Sequence, residues 1–458
     1  MRPRSLWWGP ATLALTLSFG TLPPAIAAPA ERLTGHWEAV ARKDGRSWRF
    51  SIDIPGEKPQ GATADLVDIA AYGVEFRATR RKNVIHLERK TAAAITVIDG
   101  KVHGARITGR LIFSGIEAPF TGARRDAAPP ALAEEDVVFG NGAVTLAGTV
   151  IHPTGEGPYP AIVCTHGSGP GDRQFAAYRS EGIFYARLGL TALIYDRRGS
   201  GKSTGDAAGA SIEDLADDAL AGVELLKTMK NIQSQEIGVS GISQGGWIAP
   251  LAASRSKDVA FVIVLSASGI NPMEQSIFDV ENALRRGGYG ESVVAEASRL
   301  RRRIYDFARS GVPDPGLPAA LEAARGEAWF RLSALPDPQN VAAVSPGERQ
   351  FLLFEPVPAW KKVAVPVLAL WGGGDASVPA SSSREIIEGA LAAGGNRDHT
   401  LVLYPTADHS LRIVREKSDP WDFPRSVPGA RLLLAEWLRE HVRAARPAGV
   451  SGPEWMPS

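Results

Sequence analysis

Two hydrophobic periodicities divide the chain. Between residues 31 and 126, apolar and polar positions alternate with a period of two. Trp48-Arg49-Phe50-Ser51-Ile52-Asp53-Ile54 shows it, as do Gly73-Val74-Glu75-Phe76-Arg77-Ala78 and Asn83-Val84-Ile85-His86-Leu87-Glu88-Arg89. Shorter runs follow at 95–98, 101–104 and 110–113, and Asp99-Gly100 reads as a hairpin turn. Such alternation predicts a small antiparallel all-β domain, a sandwich or barrel with one wet face. His36, His86 and His103 stand apart from one another in it, and each reads as a solvent-facing strand position rather than a metal ligand. The Ala/Pro-rich residues 127–133 mark a linker.

From 134 to 446 the pattern changes. After a β-hairpin pair around Asn141-Gly142, short continuous apolar runs alternate with helical periods. Strands are predicted at 161–165, 191–195, 237–240, 259–266, 365–371 and 400–404. Helices are predicted at 175–188, 211–229, 244–253, 385–392 and 430–443. Ser211-Ile212-Glu213-Asp214 opens one of these helices as a capping box. Alternating elements with strands apolar on both faces predict an α/β fold, a doubly wound, mostly parallel sheet. One stretch breaks the alternation. Residues 271–360 read as helix after helix, at 273–286, 291–309, 318–325 and 346–354. An insertion of that length is no connecting loop, and it is expected to form a helical cap over the carboxyl ends of the strands. Arg299, Arg301, Arg302 and Arg303 fall within it, either as a solvated helix face or as a site for an anionic substrate group.

The first 27 residues do not fit either domain. Arg2 and Arg4 precede a mostly apolar run from Leu6 to Leu22, and Ala25-Ile26-Ala27 has the small-x-small form of a cleavage signal. This is the plan of a secretory signal peptide, cleaved near Ala27 or Ala30, and the expected destination is the periplasm or the medium. The run is short and broken by Pro10, so no stable membrane insertion is expected after cleavage. A formal net charge of +1 recommends no nucleic-acid partner. The chain has one cysteine, Cys164, in an apolar run, so an intramolecular disulfide is excluded and the thiol reads as a small buried hydrophobe.

Chemistry concentrates at Gly241-Ile242-Ser243-Gln244-Gly245. A strand that turns at once into a helix holds its central residue in a strained conformation, and side chains two positions away would collide. Glycines stand at both of those positions. Ser243 is thereby presented on a sharp point, with the Gln244 N–H at the helix start free to stabilise an anion. A serine hydroxyl needs a base, and the base needs an orienting carboxylate. Asp375 follows the predicted strand 365–371 in a Gly-rich turn, and His409 follows the strand 400–404. Ser243, Asp375 and His409 thus follow one another along the chain, each just after a predicted strand. His399 would lie at the wrong end of its strand, Asp408 reads as a loop-forming residue, and His441 falls in the terminal helix. The loop after 161–165, His166-Gly167-Ser168-Gly169-Pro170, is the expected source of a second oxyanion donor, the Ser168 N–H, with His166 shaping the loop. Gly199-Ser200-Gly201-Lys202-Ser203 looks like a phosphate loop, but Asp196 stands where that motif needs its first glycine, and a nucleotide enzyme is rejected.

From about Val137 onward the chain resembles the α/β-hydrolase superfamily, in particular its bacterial dienelactone-hydrolase-like and serine-aminopeptidase-like branch. The motifs that carry the resemblance are 166–170, Asp196-Arg197-Arg198-Gly199-Ser200-Gly201-Lys202-Ser203, 241–245, Gly374-Asp375 and Asp408-His409. The resemblance implies a Ser243–His409–Asp375 triad, a structural role for the 196–203 loop, and no metal or organic cofactor. A serine at the turn argues against dehalogenase or epoxide hydrolase chemistry. The expected activity is that of an exported carboxylesterase acting on small acyl substrates. An exopeptidase or amidase is the second reading, and a non-catalytic protein that binds through its β domain is the reading of a different class. The β segment is too short to be a several-bladed propeller, and it is expected to pack near the cap.

Overall fold

The computed structural model describes residues 33–56, 59–91, 95–126, 128–337, 346–414 and 425–442. The expected export signal at 1–27 lies outside the described residues, as do Glu31, Ala127 and the C-terminal end of the 134–446 unit. The described strands form two sheets.

The first is antiparallel and has nine strands: β1 (Gly35–Lys43), β2 (Arg46–Ile54), β3 (Thr63–Leu66), β4 (Ala71–Glu75), β5 (Arg77–Arg81), β6 (Val84–Lys90), β7 (Ile95–His103), β8 (Arg106–Phe113) and β9 (Ile116–Arg125). Their order is β4-β3-β2-β1-β9-β8-β7-β6-β5. The two edge strands are joined by Phe76 alone, so the sheet curls until its edges meet. Trp37, Phe50, Ile52, Ile85, Leu87, Ile98, Ile107 and Phe120 fill the enclosed side. Alternation along β7 is nearly perfect, with Thr96, Ile98, Gly100 and Val102 buried.

Two local expectations fail here. Asp99-Gly100 makes no turn: both residues lie inside β7, opposite Arg110 and Gly109. The chain reverses instead at Gly104, whose φ is +63°, while Asp99 reaches sideways to Arg110 Nε (2.8 Å) and His86 Nδ1 (2.5 Å). His36 does not face solvent. It is 2% exposed, with Nδ1 2.7 Å from Asp53 Oδ1. A neighbouring carboxylate made burial of a polar ring tolerable.

The second sheet runs β10 (Leu132–Asn141), β11 (Val144–Pro153), β12 (Tyr159–Thr165), β13 (Thr191–Tyr195), β14 (Ile232–Ile242), β15 (Val262–Leu265), β16 (Val367–Gly372) and β17 (His399–Tyr404). Its order is β10-β11-β13-β12-β14-β15-β16-β17. Pairing is parallel from β13 to β17 and antiparallel at β10 and β11. The helices of this half are α1 (Ala176–Arg187), α2 (Ile212–Thr228), α3 (Gly245–Arg255), α4 (Pro272–Arg286), α5 (Glu291–Ser310), α6 (Leu317–Arg325), α7 (Pro346–Leu352), α8 (Pro356–Trp360), α9 (Ala380–Ala393) and α10 (Ala430–His441).

The central strands alternate between two cores. Val163, Val264 and Ala369 join a cluster with Leu215, Val223, Ile248 and Ile387 from α2, α3 and α9. Ile162, Ile263 and Leu368 join another with Ile183 and Phe184 of α1 and Trp437 and Leu438 of α10. Cys164 is buried in the second cluster. The capping box forms: Ser211 Oγ accepts from Asp214 N at 3.0 Å, and Asp214 Oδ2 accepts from Ser211 N at 3.0 Å.

The inserted helices rest on the loop after β16. Asn282 of α4 donates to the Ala376 carbonyl at 3.1 Å, and Ser377 Oγ donates to Asp279 Oδ1 at 2.9 Å. Three of the four arginines brace the insertion itself. Arg301 donates to the Ser333 and Ala334 carbonyls, Arg302 pairs with Glu274, and Arg303 pairs with Asp314. Among the described residues the curled sheet docks on α1 and at Ser426 rather than on these helices. Tyr72 N donates to Ser180 Oγ, and Ser426 N donates to the Asp68 carbonyl.

The 196–203 loop folds around a carboxylate of its own. Asp196 accepts from Lys202 N (2.8 Å) and Arg173 N (2.8 Å), and pairs with Arg173 Nη1 at 2.5 Å. A Cβ on Gly201, which has φ +54°, would fall 2.4 Å from that carboxylate. The phosphate-loop look of the sequence is thus a nest of N–H groups around an internal anion. Because Arg173 and Asp196 are both buried, removing Asp196 strips the guanidinium of its close partner and leaves it only the exposed Asp136 carboxylate at 3.6 Å. Asp196→Ala is expected to cost about 3–5 kcal/mol, read as a lowered midpoint of urea unfolding.

Candidate active site

Strand β14 ends at Ile242 and helix α3 begins at Gly245, so two residues make the whole turn. Ser243 takes φ +55°, a left-handed conformation unusual for any residue but glycine. Three backbone contacts hold it there: Ser243 N donates to the Leu265 carbonyl (2.9 Å), Gly246 N donates to the Ser243 carbonyl (2.8 Å), and Trp247 N donates to the Gln244 carbonyl (3.0 Å). A Cβ on Gly241 would lie 2.3 Å from the Gly245 oxygen, and one on Gly245 would lie 2.7 Å from Thr165 Oγ1. The clash expected from the sequence is therefore physical at both flanking positions.

Asp375 and His409 are brought together. His409 Nδ1 lies 2.7 Å from Asp375 Oδ2. The Asp375 side chain is fully enclosed, while that of His409 is 28% exposed. Asp375 Oδ1 accepts from Ser377 N (2.8 Å) and Val378 N (2.9 Å), which fixes the carboxylate in one orientation. With Nδ1 donating to the carboxylate, the lone pair of the ring sits on Nε2. The His409 loop is tied back towards the turn, because Ser266 Oγ donates to the His409 carbonyl at 2.8 Å and Ser266 follows Leu265, the acceptor for Ser243 N. Among the described residues no hydrogen bond joins Ser243 Oγ to His409 Nε2; such a bond commonly tightens only with substrate in place. Asp408 shapes the loop as read, its Oδ1 accepting from Ser410 N and Arg412 N. His399 opens β17 opposite Val367, at the far end of both strands. His441 bonds the Trp437 carbonyl within α10.

The loop after β12 lies against the turn. A Cβ on Gly167 would stand 3.6 Å from Ser243 Cβ. Among the described residues neither Ser168 N nor Gln244 N has a hydrogen-bond acceptor, so both donors remain open to a ligand oxygen. His166 is buried beneath the loop, its Nε2 2.5 Å from the Tyr195 carbonyl and its ring edge-on to Tyr178 and Tyr195. Two residues that sequence reasoning did not single out complete the support. Arg197 donates to the Gly167 and Gly169 carbonyls at 3.2 and 3.3 Å, and the Tyr178 hydroxyl accepts from Gly167 N at 3.2 Å. Arg197 lies inside a noted motif, whereas nothing in the pattern around Tyr178 signals the contact. Together these parts can carry nucleophilic attack on a carbonyl: a hydroxyl on a sharp turn, an imidazole backed by an enclosed carboxylate, and two free N–H donors. Among the described residues no group of three or more His, Cys, Asp or Glu side chains could hold a metal ion, and no helix is long and apolar enough to cross a membrane.

Burial pushes the His166 pKa down from 6.5 to about 4. The neutral ring is therefore favoured in the folded state, and the unfolded chain binds the proton first as pH falls. Stability linked to this group is complete above pH 6.5 and is lost progressively down to about pH 4, on the order of 3 kcal/mol in all. Unfolding midpoints measured across that window should fall for the native chain, and the fall should be shallower for His166→Gln.

The chain matches the model of the alpha/beta hydrolase family over residues 162–423. It is 24% identical over 324 residues to Esterase EstD of Thermotoga maritima, covering 69% of each chain. Two solved structures align with lower identity. One is the 2,6-dihydroxy-pseudo-oxynicotine hydrolase, at 17% identity, a TM-score of 0.44 and 70% of each chain. The other is the Pyrococcus furiosus esterase Pf2001, at 17% identity and a TM-score of 0.44, covering 68% of this chain and 92% of that one. With its Ser243 turn inside the matched residues and more than half its length accounted for by the model, this chain belongs to the alpha/beta hydrolase family.

Proposed function

We propose that the protein is a serine hydrolase that cleaves small carboxylic esters through an acyl-enzyme. The observation that carries this reading is the enclosed Asp375 carboxylate 2.7 Å from His409 Nδ1, on the two loops that follow β16 and β17. With Nδ1 held by Asp375, His409 Nε2 takes the proton of Ser243 Oγ as that oxygen attacks the substrate carbonyl. The Gln244 and Ser168 N–H groups receive the oxyanion, each contributing roughly 3 kcal/mol to the transition state. His409 then protonates the leaving alcohol, and water releases the acyl group by the same steps in reverse. Asp375 keeps its orientation throughout, held by its two backbone donors.

The esterase reading over the amidase reading draws support from the name of the Thermotoga maritima relative, Esterase EstD. We read the second sheet as doubly wound, because its strands feed apolar clusters on both sides. The curled sheet of residues 35–125 is read as a separate unit, and the inserted helices as a cap whose α4 lies on the Asp375 loop. We also read residues 1–27 as an export signal; the protein recovered from its native host should begin just after Ala27 or Ala30 in N-terminal sequencing, and an intact precursor would refute export.

Turnover of p-nitrophenyl acyl esters and of aminoacyl-p-nitroanilides by the native chain and by Ser243→Ala tests the reaction. Ester hydrolysis is expected to fall at least about 10³-fold in the variant, with the melting temperature unchanged within a few degrees. Serine-dependent release from the anilides would assign the protein to the amidases and peptidases instead, and turnover that survives Ser243→Ala would refute the mechanism.

A further inference from the structure

Helix α1 has two working sides. Ser180, Ile183, Phe184 and Arg187 recur at the spacing of one helical stripe. That stripe carries the dock for the curled sheet. Ser180 Oγ accepts from Tyr72 N at 2.7 Å and donates to the Ala70 carbonyl at 3.2 Å. Phe184 packs against Tyr72 with ring centroids 5.1 Å apart. Arg187 forms a buried ion pair with Asp65, whose other oxygen accepts from Gly73 N at 2.7 Å. Tyr178 lies two residues before Ser180 and so projects to another side of the helix. Its hydroxyl is the acceptor for Gly167 N, and its ring stands edge-on to His166 at 4.9 Å. One rigid helix thus grips strands β3 and β4 through Ser180, Phe184 and Arg187 and, two residues before Ser180, holds with Tyr178 the loop that precedes Ser168.

We propose that the N-terminal sheet is a positioning element for the oxyanion loop, acting through α1 and the Tyr178 hydroxyl. This rests on the reaction proposed above. Gly167 N is buried, and Tyr178 satisfies it. The Gly167 carbonyl on the other side is held by Arg197. Both peptide planes flanking Gly167 are therefore clamped, and the direction of the Ser168 N–H follows from them. The Arg197 clamp belongs to the hydrolase sheet, but the Tyr178 clamp is only as well placed as α1. The helix is fixed along one stripe by strands β3 and β4, which arrive from a different sheet more than 100 residues earlier in sequence. Tyr178 is a positioning residue in this account: it touches the loop and not the reacting atoms.

Full-length Tyr178→Phe and Ser180→Ala test the proposal, with p-nitrophenyl butyrate as substrate and a trifluoromethyl ketone as the mimic of the tetrahedral oxyanion. Tyr178→Phe is expected to lower kcat about tenfold with KM within about twofold, and to weaken the ketone by a similar factor. Ser180→Ala should show the same pattern at about three- to fivefold, although its side chain faces away from the site. A purely structural dock would instead lower the melting temperature and leave kcat and ketone affinity unchanged in folded protein, and that result would overturn the proposal. If Tyr178→Phe does not fold, Ser180→Ala decides alone. Covalent labelling of Ser243 by a fluorophosphonate separates the two levels: no labelling of the native chain would remove the reaction itself and this inference with it, whereas native labelling with unaltered kinetics in both variants would remove this inference only.

Discussion

The structure turns on a steric constraint: the Gly245 backbone oxygen would lie 2.3 Å from a Cβ at position 241. That proximity exists because a buried strand becomes a helix within two residues, and it forces Ser243 into φ +55°. A left-handed serine costs on the order of 1–2 kcal/mol relative to ordinary backbone. The surrounding sheet offsets it, since β14 is buried between β12 and β15 and its register with both is fixed by parallel pairing. Strain at the site and order in the core are in this sense the same fact. A looser sheet would let the turn relax and lower the hydroxyl from its exposed point.

Three buried carboxylates are each met by N–H donors. Asp375 takes two backbone donors and an imidazole. Asp196 takes two backbone donors and a guanidinium. Asp65 takes the Gly73 N–H and Arg187. The chemistry of the three groups is alike, and their surroundings separate the roles. Asp196 is sealed by Gly201 and Arg173, and Asp65 by the interface between the two sheets. Of the three, Asp375 alone faces a ring that still has 28% of its side chain open to solvent, so the orientation of its carboxylate governs a group able to meet substrate.

Local pattern made much of this legible. Continuous apolar runs located β12, β13 and β16 because those strands are buried on both faces. The helices at 272–286 and 291–310 followed from their periodicity, and the glycines at 241 and 245 from the geometry of the turn they permit. What escaped the sequence depends on partners distant along the chain. Asp99-Gly100 has the composition of a turn, but two neighbouring strands hold it extended and Asp99 serves Arg110 and His86 across them. His36 is polar and is buried all the same, because Asp53 is opposite it in the register of β1 and β2. The docking of the first sheet on α1 is illegible for the same reason: Ser180 and Arg187 read as ordinary helix positions until Tyr72 and Asp65 arrive beside them. The pair of open N–H groups at Ser168 and Gln244 could be guessed from small residues, but not the Tyr178 and Arg197 contacts that aim the first of them.

The chain carries a single cysteine, and Cys164 sits in β12, where burial raises its thiol pKa to about 12. At neutral pH it is both protonated and out of reach, so a thiol reagent can mark it only in molecules whose central sheet has opened. The protein therefore contains its own opening clock. Because β12 lies between β13 and β14 and leads directly into the loop beneath Ser243, the rate of that marking reports, without any added probe, how often the scaffold of the site comes apart.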